Sequence, residues 1–193
     1  IDNVGNGKTV TAGEVFVNVD AADPTAGSDF WANAGTLEDL VRVENPVLLE
    51  HNGAAAVVFN CDAGLPEAYQ TQEDAPAGLV GEDPTRSIEV WAFNPAIAAE
   101  ETLLAWGRRG GPDGSNMSFN YGTHGLFGAV GHWGGAGPDL GWNNAGGAPA
   151  ANEWHHLAYT YDGFVTRVYA DGALANSELL GPGAINTFTP SKI

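Results

Sequence analysis

The chain has 193 residues, with 24 acidic against 7 basic side chains and a formal net charge of −17. A chain of this size buries enough surface to hold one core without disulfides or metal. Its shortage of Lys and Arg makes nucleic acid and anionic membranes poor partners, and its longest apolar run, Ala54–Phe59, is too short for membrane insertion.

In chain order, Glu14–Val19 alternates Val15, Val17 and Val19 with Phe16 and Asn18, which predicts a strand. Asp20-Ala-Ala-Asp23-Pro24 breaks it with turn residues. Thr36–Val43 reads as one helical turn followed by an extended piece, and Ala54–Asn60 as a buried strand. Cys61 stands alone, so no internal disulfide forms; it reads as a buried apolar thiol or a reactive one. A polar connection follows over 63–82. Ser87–Phe93 predicts a strand with Ile88, Val90 and Ala92 on one face and Glu89, Trp91 and Phe93 on the other. Trp91 and Trp154 are expected to pack in the core. Asn94-Pro95 looks like a cap and first position of a short helix to about Glu101, after which Thr102–Trp106 returns to strand.

Over 107–151 the composition shifts to 14 glycines, five aromatics and only two acids, Asp113 and Asp139. Strands are predicted at Asn116–Tyr121 and Leu126–Trp133. Glycine here serves either close strand and loop packing or close approach to a polar ligand. Trp154–Tyr161, Phe164–Ala170 and Ala173–Asn176, separated by Asp162-Gly163 and Asp171-Gly172, predict a β-meander.

Ser87-Ile-Glu-Val-Trp-Ala-Phe-Asn-Pro95, Trp154-His-His-Leu-Ala-Tyr-Thr-Tyr-Asp-Gly163 and Arg167-Val-Tyr-Ala-Asp-Gly172 together resemble the laminin G-like domains of the concanavalin A-like lectin/glucanase superfamily. Val17–Asp23 and Ala56–Asp62 fit that family's opening strands, so the resemblance runs from about Glu14 to Ile193. It implies an all-β, two-sheet antiparallel β-sandwich, the jelly roll, over 14–193, behind an N-terminal extension at 1–13. It also implies an extracellular or secreted module that binds glycans or proteins, often with structural calcium. The family's closing Gly-x-Ile-Asp-Glu-like motif does not occur before Ile193, so the jelly roll either lacks its closing strands or has them supplied by another segment. The chain starts at Ile1, which reads as a processed or trimmed product.

Glucanases of this fold carry two carboxylates two or four residues apart on one strand face, and retaining chemistry needs the carboxyls about 5 Å apart. No two acids here are two residues apart, and adjacent pairs such as Glu100-Glu101 point to opposite faces of a strand. The expectation is therefore a protein without catalysis. His155 and His156 also project to opposite faces, so they cannot chelate one ion together; one should bond inside and the other reach solvent. Asp20 and Asp23 sit in a turn where the family can hold calcium, or they cap that turn themselves. For glycan contact the candidates are Asn120, His124, His132, Trp133 and Trp142, from the glycine-rich stretch. Asn116-Met-Ser118 matches a glycosylation acceptor.

The sequence thus predicts a binding module that recognises carbohydrate or a surface protein through a sheet face and rim loops. The alternative is a structural or adhesive segment of a larger secreted protein. A glycoside hydrolase or polysaccharide lyase ranks third, and the oligomeric state is left open.

Overall fold

The computed structural model describes residues 13–60, 66–133 and 138–193, with the backbone of 2–3 and 9–10. Cys61 and most of the N-terminal extension lie outside the described residues. The chain divides into two compact units, residues 1–73 and 74–193.

In the first unit β1 (Asp2–Asn3) pairs with β2 (Thr9–Val10). β3 (Phe30–Trp31), β4 (Leu40–Val43) and β7 (Ala68–Gln70) form an antiparallel sheet in the order β3-β4-β7. Ala26, Trp31 and Leu40 form a small core there, with the Tyr69 ring edge-on to Trp31 at 5.2 Å. Glu14–Val19 is extended but joins no ladder. Its bonds go to a loop instead: Asn33 Oδ1 accepts from the Asn18 and Gly35 amides, and Asn33 Nδ2 donates to the Phe16 and Leu37 carbonyls. The half-buried Asn33 side chain, with the Ala34, Thr36 and Leu37 amides that donate to the Asn18, Val15 and Phe16 carbonyls, has replaced the strand partner that the valine alternation suggested.

β5 (Val47–His51) and β6 (Ala54–Val58) make a hairpin around Asn52-Gly53, both at positive φ (52° and 80°), as a two-residue turn between right-twisted strands requires. The predicted buried strand is therefore half of a hairpin, and only Ala56 in it is buried.

The second unit is a sandwich. One sheet has the order β15-β14-β13-β9, built from β9 (Arg86–Phe93), β13 (Trp154–Tyr161), β14 (Val165–Ala170) and β15 (Ala173–Leu179). Facing it is β10-β11-β12, from β10 (Thr102–Gly107), β11 (Asn116–Asn120) and β12 (Val130–Gly131). All ladders are antiparallel. Met117, Phe119 and Tyr121 point inward from one side and Leu157, Tyr159 and Tyr161 from the other, with the Phe119 and Tyr159 rings 6.2 Å apart. Burying these large rings between two layers is what holds the sandwich.

β8 (Gly81–Glu82) pairs with β16 (Asn186–Thr187). Near the C-terminus the Ser191 carbonyl also accepts the Ala75 amide, and Ser191 Oγ accepts the Gly107 amide. The return of this segment had no strand-like pattern to announce it. The helix predicted after Asn94 is absent: Asn94 Oδ1 accepts the Ala96 amide two residues on, an Asx turn that competes with helix. Among the described residues the one helical piece is a 3-10 turn at Ala77–Leu79.

Candidate functional site

Alternation along β9 and β13 sorts the second unit's main sheet into two chemically different faces. Val90, Ala92, Leu157 and Tyr159 turn inward; Glu89, Trp91, Phe93, Trp154 and His156 turn outward. The register sets Trp91 opposite His156 and Phe93 opposite Trp154. The Trp91 and His156 rings lie 5.3 Å apart and the Phe93 and Trp154 rings 5.7 Å apart. Directly opposed residues on one sheet face are close enough to pack, so the ladder itself builds this double row of rings. Glu89 Oε2 lies 3.7 Å from His156 Nε2. One step further along, Ala158 stands between Glu89 and Tyr169, and Thr160 between Ser87 and Arg167. The face thus passes from aromatic to polar within four register steps.

Trp91 is 67% exposed, so the expectation that it packs in the core is corrected. Its position on the face opposite Ala92 and Val90 put it outside, and periodicity alone had already separated those faces. The histidine pair behaves as predicted. His155 is buried, with Nδ1 2.7 Å from Asp171 Oδ2 and Nε2 3.0 Å from the Ala150 carbonyl, while His156 is half exposed. Asp171 Oδ1 accepts the His156 amide, and its hydrogen bond from His155 holds the carboxyl below the usual range, outweighing burial. Asp162, bonded to Arg167 and to the Val165 and Phe164 amides, is pulled to about 2.

The five ligand candidates do not converge. Asn120 is fully buried, bonded to the Phe127 carbonyl and to Thr102 Oγ1. His132 is also fully buried, held by the Pro138 carbonyl and Tyr159 Oη. Both are corrected to interior polar residues, because each finds its partners inside the sandwich. His124 stacks on Phe127 at 3.7 Å, and Trp133 is exposed beneath the Arg109 guanidinium at 5.3 Å. Trp142 is buried against Phe119 and lines a rim pocket. Asn116 is buried with Nδ2 donating to the Gly131 carbonyl, so it is no glycosylation acceptor in this fold. The glycines serve packing in this stretch: a Cβ on Gly141 would strike the Gly125 carbonyl, and one on Gly128 the Gly122 carbonyl.

Asp20 and Asp23 serve their own loop. Asp20 Oδ1 accepts the Ala22 amide, and Asp23 Oδ1 accepts both the amide and hydroxyl of Thr25. Among the described residues no group of three or more His, Cys, Asp or Glu is placed to hold a metal ion. The two side chains have the geometry of Asx turns.

A laminin G-type family model, described as the concanavalin A-like lectin/glucanases superfamily, matches residues 67–192. The chain belongs to that superfamily. Among solved structures it is similar to domain 4 of AbnA, a GH43 extracellular arabinanase from Geobacillus stearothermophilus, solved in complex with arabinotriose. The identity is 17% and the TM-score 0.55, over 83% of this chain and 75% of that one, a likeness of fold. No curated protein matches the chain. No helix among the described residues is long and apolar enough to cross a membrane.

Proposed function

We propose that this chain is a non-catalytic, extracellular carbohydrate-binding module that holds a neutral glycan on the outer face of β9 and β13. One observation carries the reading above all: Trp91 is 67% exposed on a regular strand, flanked by His156 and Glu89. Trp91 is continuous with the His156, Phe93 and Trp154 rings beside it, and a contiguous apolar patch on a rigid strand face marks a binding surface. A sugar ring presents an apolar C–H face that stacks on indole, and hydroxyls that suit Glu89 and His156 beside it. The net charge of −17 favours a neutral polymer over an anionic one. The arabinotriose complex of the similar arabinanase domain makes arabinan the first polymer to try.

The test is affinity electrophoresis of the intact protein through gels containing arabinan, xylan or mixed-linkage glucan. Retardation by at least one of them is expected, with loss of about 10-fold or more in affinity for Trp91→Ala and no release of reducing sugar. Free migration of the wild type in all three gels, or full retardation of Trp91→Ala, overturns the reading.

A second reading, contact with another protein, draws on the β5–β6 hairpin, where Val47, Leu48, Leu49 and Val58 are all exposed.

A further inference from the structure

The outer face of the second unit's main sheet has a low strip next to its rings. Along β13 the outward residues are Trp154, His156, Ala158 and Thr160, and Ala158 alone of the four is buried, at 6% exposure. It takes no part in the core cluster, which holds its chain neighbours Leu157 and Tyr159. Its cover comes from the side chains beside it on the same face. The ladders identify them: Glu89 stands opposite Ala158 on β9 and Tyr169 opposite it on β14, both half-buried. Directly opposed residues lie about 4.5–5.5 Å apart at Cβ, so two long side chains flank one methyl group. Ala158 is thus the floor of a trough, with Glu89 and Tyr169 as its walls.

The trough starts at the rings and its lining turns polar away from them. At one end His156 packs on Trp91 and comes within 3.7 Å of the Glu89 carboxylate. At the other, Thr160 stands between Ser87 and Arg167. Arg167 Nη1 donates to Asp162 Oδ2 at 2.7 Å, which fixes the guanidinium and offsets its charge. The guanidinium has further N–H groups beyond that bond. From His156 to Thr160 the strand advances by about 13 Å, at roughly 3.3 Å per residue, the span of about two to three linked sugar rings. The groups along it match hydroxyls: Glu89 accepts, Arg167 donates, and Thr160 and Tyr169 do both. A carboxylate on one wall and an arginine already paired disfavour an anionic chain.

We infer, resting on the reading of Trp91 as a glycan platform, that the trough over Ala158 is a further ring subsite continuous with it, so that the ligand is a neutral, linear chain of about two to three sugar rings lying along β13 and not a single sugar. The experiment is calorimetric titration of the intact protein with mono-, di-, tri- and pentasaccharides of arabinan, xylan and mixed-linkage glucan. In at least one series affinity is expected to rise about 10-fold or more from mono- to trisaccharide and then to level off. Ala158→Trp, which fills the trough from its floor, and Tyr169→Ala, which takes away a wall, each lower trisaccharide affinity about 10-fold. Urea unfolding checks that both variants fold; should Ala158→Trp fail to, Tyr169→Ala decides. The subsite is overturned if the monosaccharide binds as tightly as the trisaccharide, or if either folded variant holds the trisaccharide like the wild type. Affinity that is lost in Trp91→Ala yet flat with chain length overturns the trough alone. No binding in any series, or binding untouched by Trp91→Ala, overturns the Trp91 reading and the trough with it.

Discussion

Tyr159 donates its hydroxyl proton to Nε2 of His132 across 3.1 Å in the interior of the sandwich. The roles are forced by the neighbours. His132 Nδ1 faces the Pro138 carbonyl, which only accepts, so Nδ1 carries the proton and Nε2 must accept. Burial, helped by the positive charge of Arg86, drives His132 down to about 3 despite the Pro138 carbonyl. In the unfolded chain the same imidazole takes a proton near pH 6.5. The unfolded state therefore binds more protons between those values. The stability from neutral His132 is complete above about pH 6.5 and is lost as pH falls toward 3, by at most about 1.4 kcal/mol per unit. Urea midpoints should drop between pH 6.5 and 5 in the wild type. His132→Gln should lower the midpoint at pH 7 and flatten that dependence; an unchanged slope would assign the acid sensitivity elsewhere.

Trp91 and Leu157 test the two faces of one sheet. Leu157 is opposite Val90 and fully buried, whereas Trp91, one residue on, is exposed. Leu157→Ala should cost about 2–5 kcal/mol through lost burial and the cavity left behind. Trp91→Ala should stay within about 0.5 kcal/mol of wild type in urea denaturation, as surface substitutions do. A Trp91 variant that unfolds like the Leu157 variant would mean that the indole is structural.

Much of the sandwich was legible in the sequence because its period-two signal is strong. Trp154–Tyr161 is predicted and observed with the same ends, and the Asp171-Gly172 turn carries the expected positive φ values of 52° and 80°. The site was harder to read. Composition drew attention to the glycine-rich stretch, whose Asn120 and His132 are buried, while the most exposed tryptophan, Trp91, stands on β9 beside the β13 ring of His156. Alternation tells which residues share a face but not which face meets water; that is decided by the opposing sheet, which covers Val90 and Ala92 and leaves Trp91 bare. β16 and the Asn33 clamp were invisible because long-range pairing of short segments leaves no local pattern.

Asp83 joins three parts of the second unit. It sits at a φ of 44°, and its carboxylate accepts from Tyr161 Oη at 2.9 Å, the Gly183 amide at 2.7 Å and the Ile185 amide. Burial works against its charge, but these three bonds outweigh it and hold its carboxyl below the usual range. A carboxylate favoured in the folded state stabilises above the unfolded value near 4 and stops doing so as pH falls through the folded one. Asp83→Ala should cost about 2–3 kcal/mol at pH 7, the scale of losing hydrogen bonds to a charged group, and markedly less at pH 2. Equal losses at both pH values would show that the contribution is packing and not charge.

The Asp20–Asp23 loop closes on its own side chains, so calcium should have nothing to add there. Each Oδ1 already replaces a missing backbone partner, at 2.8 Å from the Ala22 and Thr25 amides. A ligand that binds only the folded state raises its stability by RT ln(1 + [L]/Kd), which makes melting a sensitive detector of a resident ion. The expected result is one melting temperature in calcium and in EDTA. Asp23→Ala, which removes the cap from Thr25, should lower it in both media alike. A drop on adding EDTA that vanishes in Asp23→Ala would instead identify this turn as a cation site.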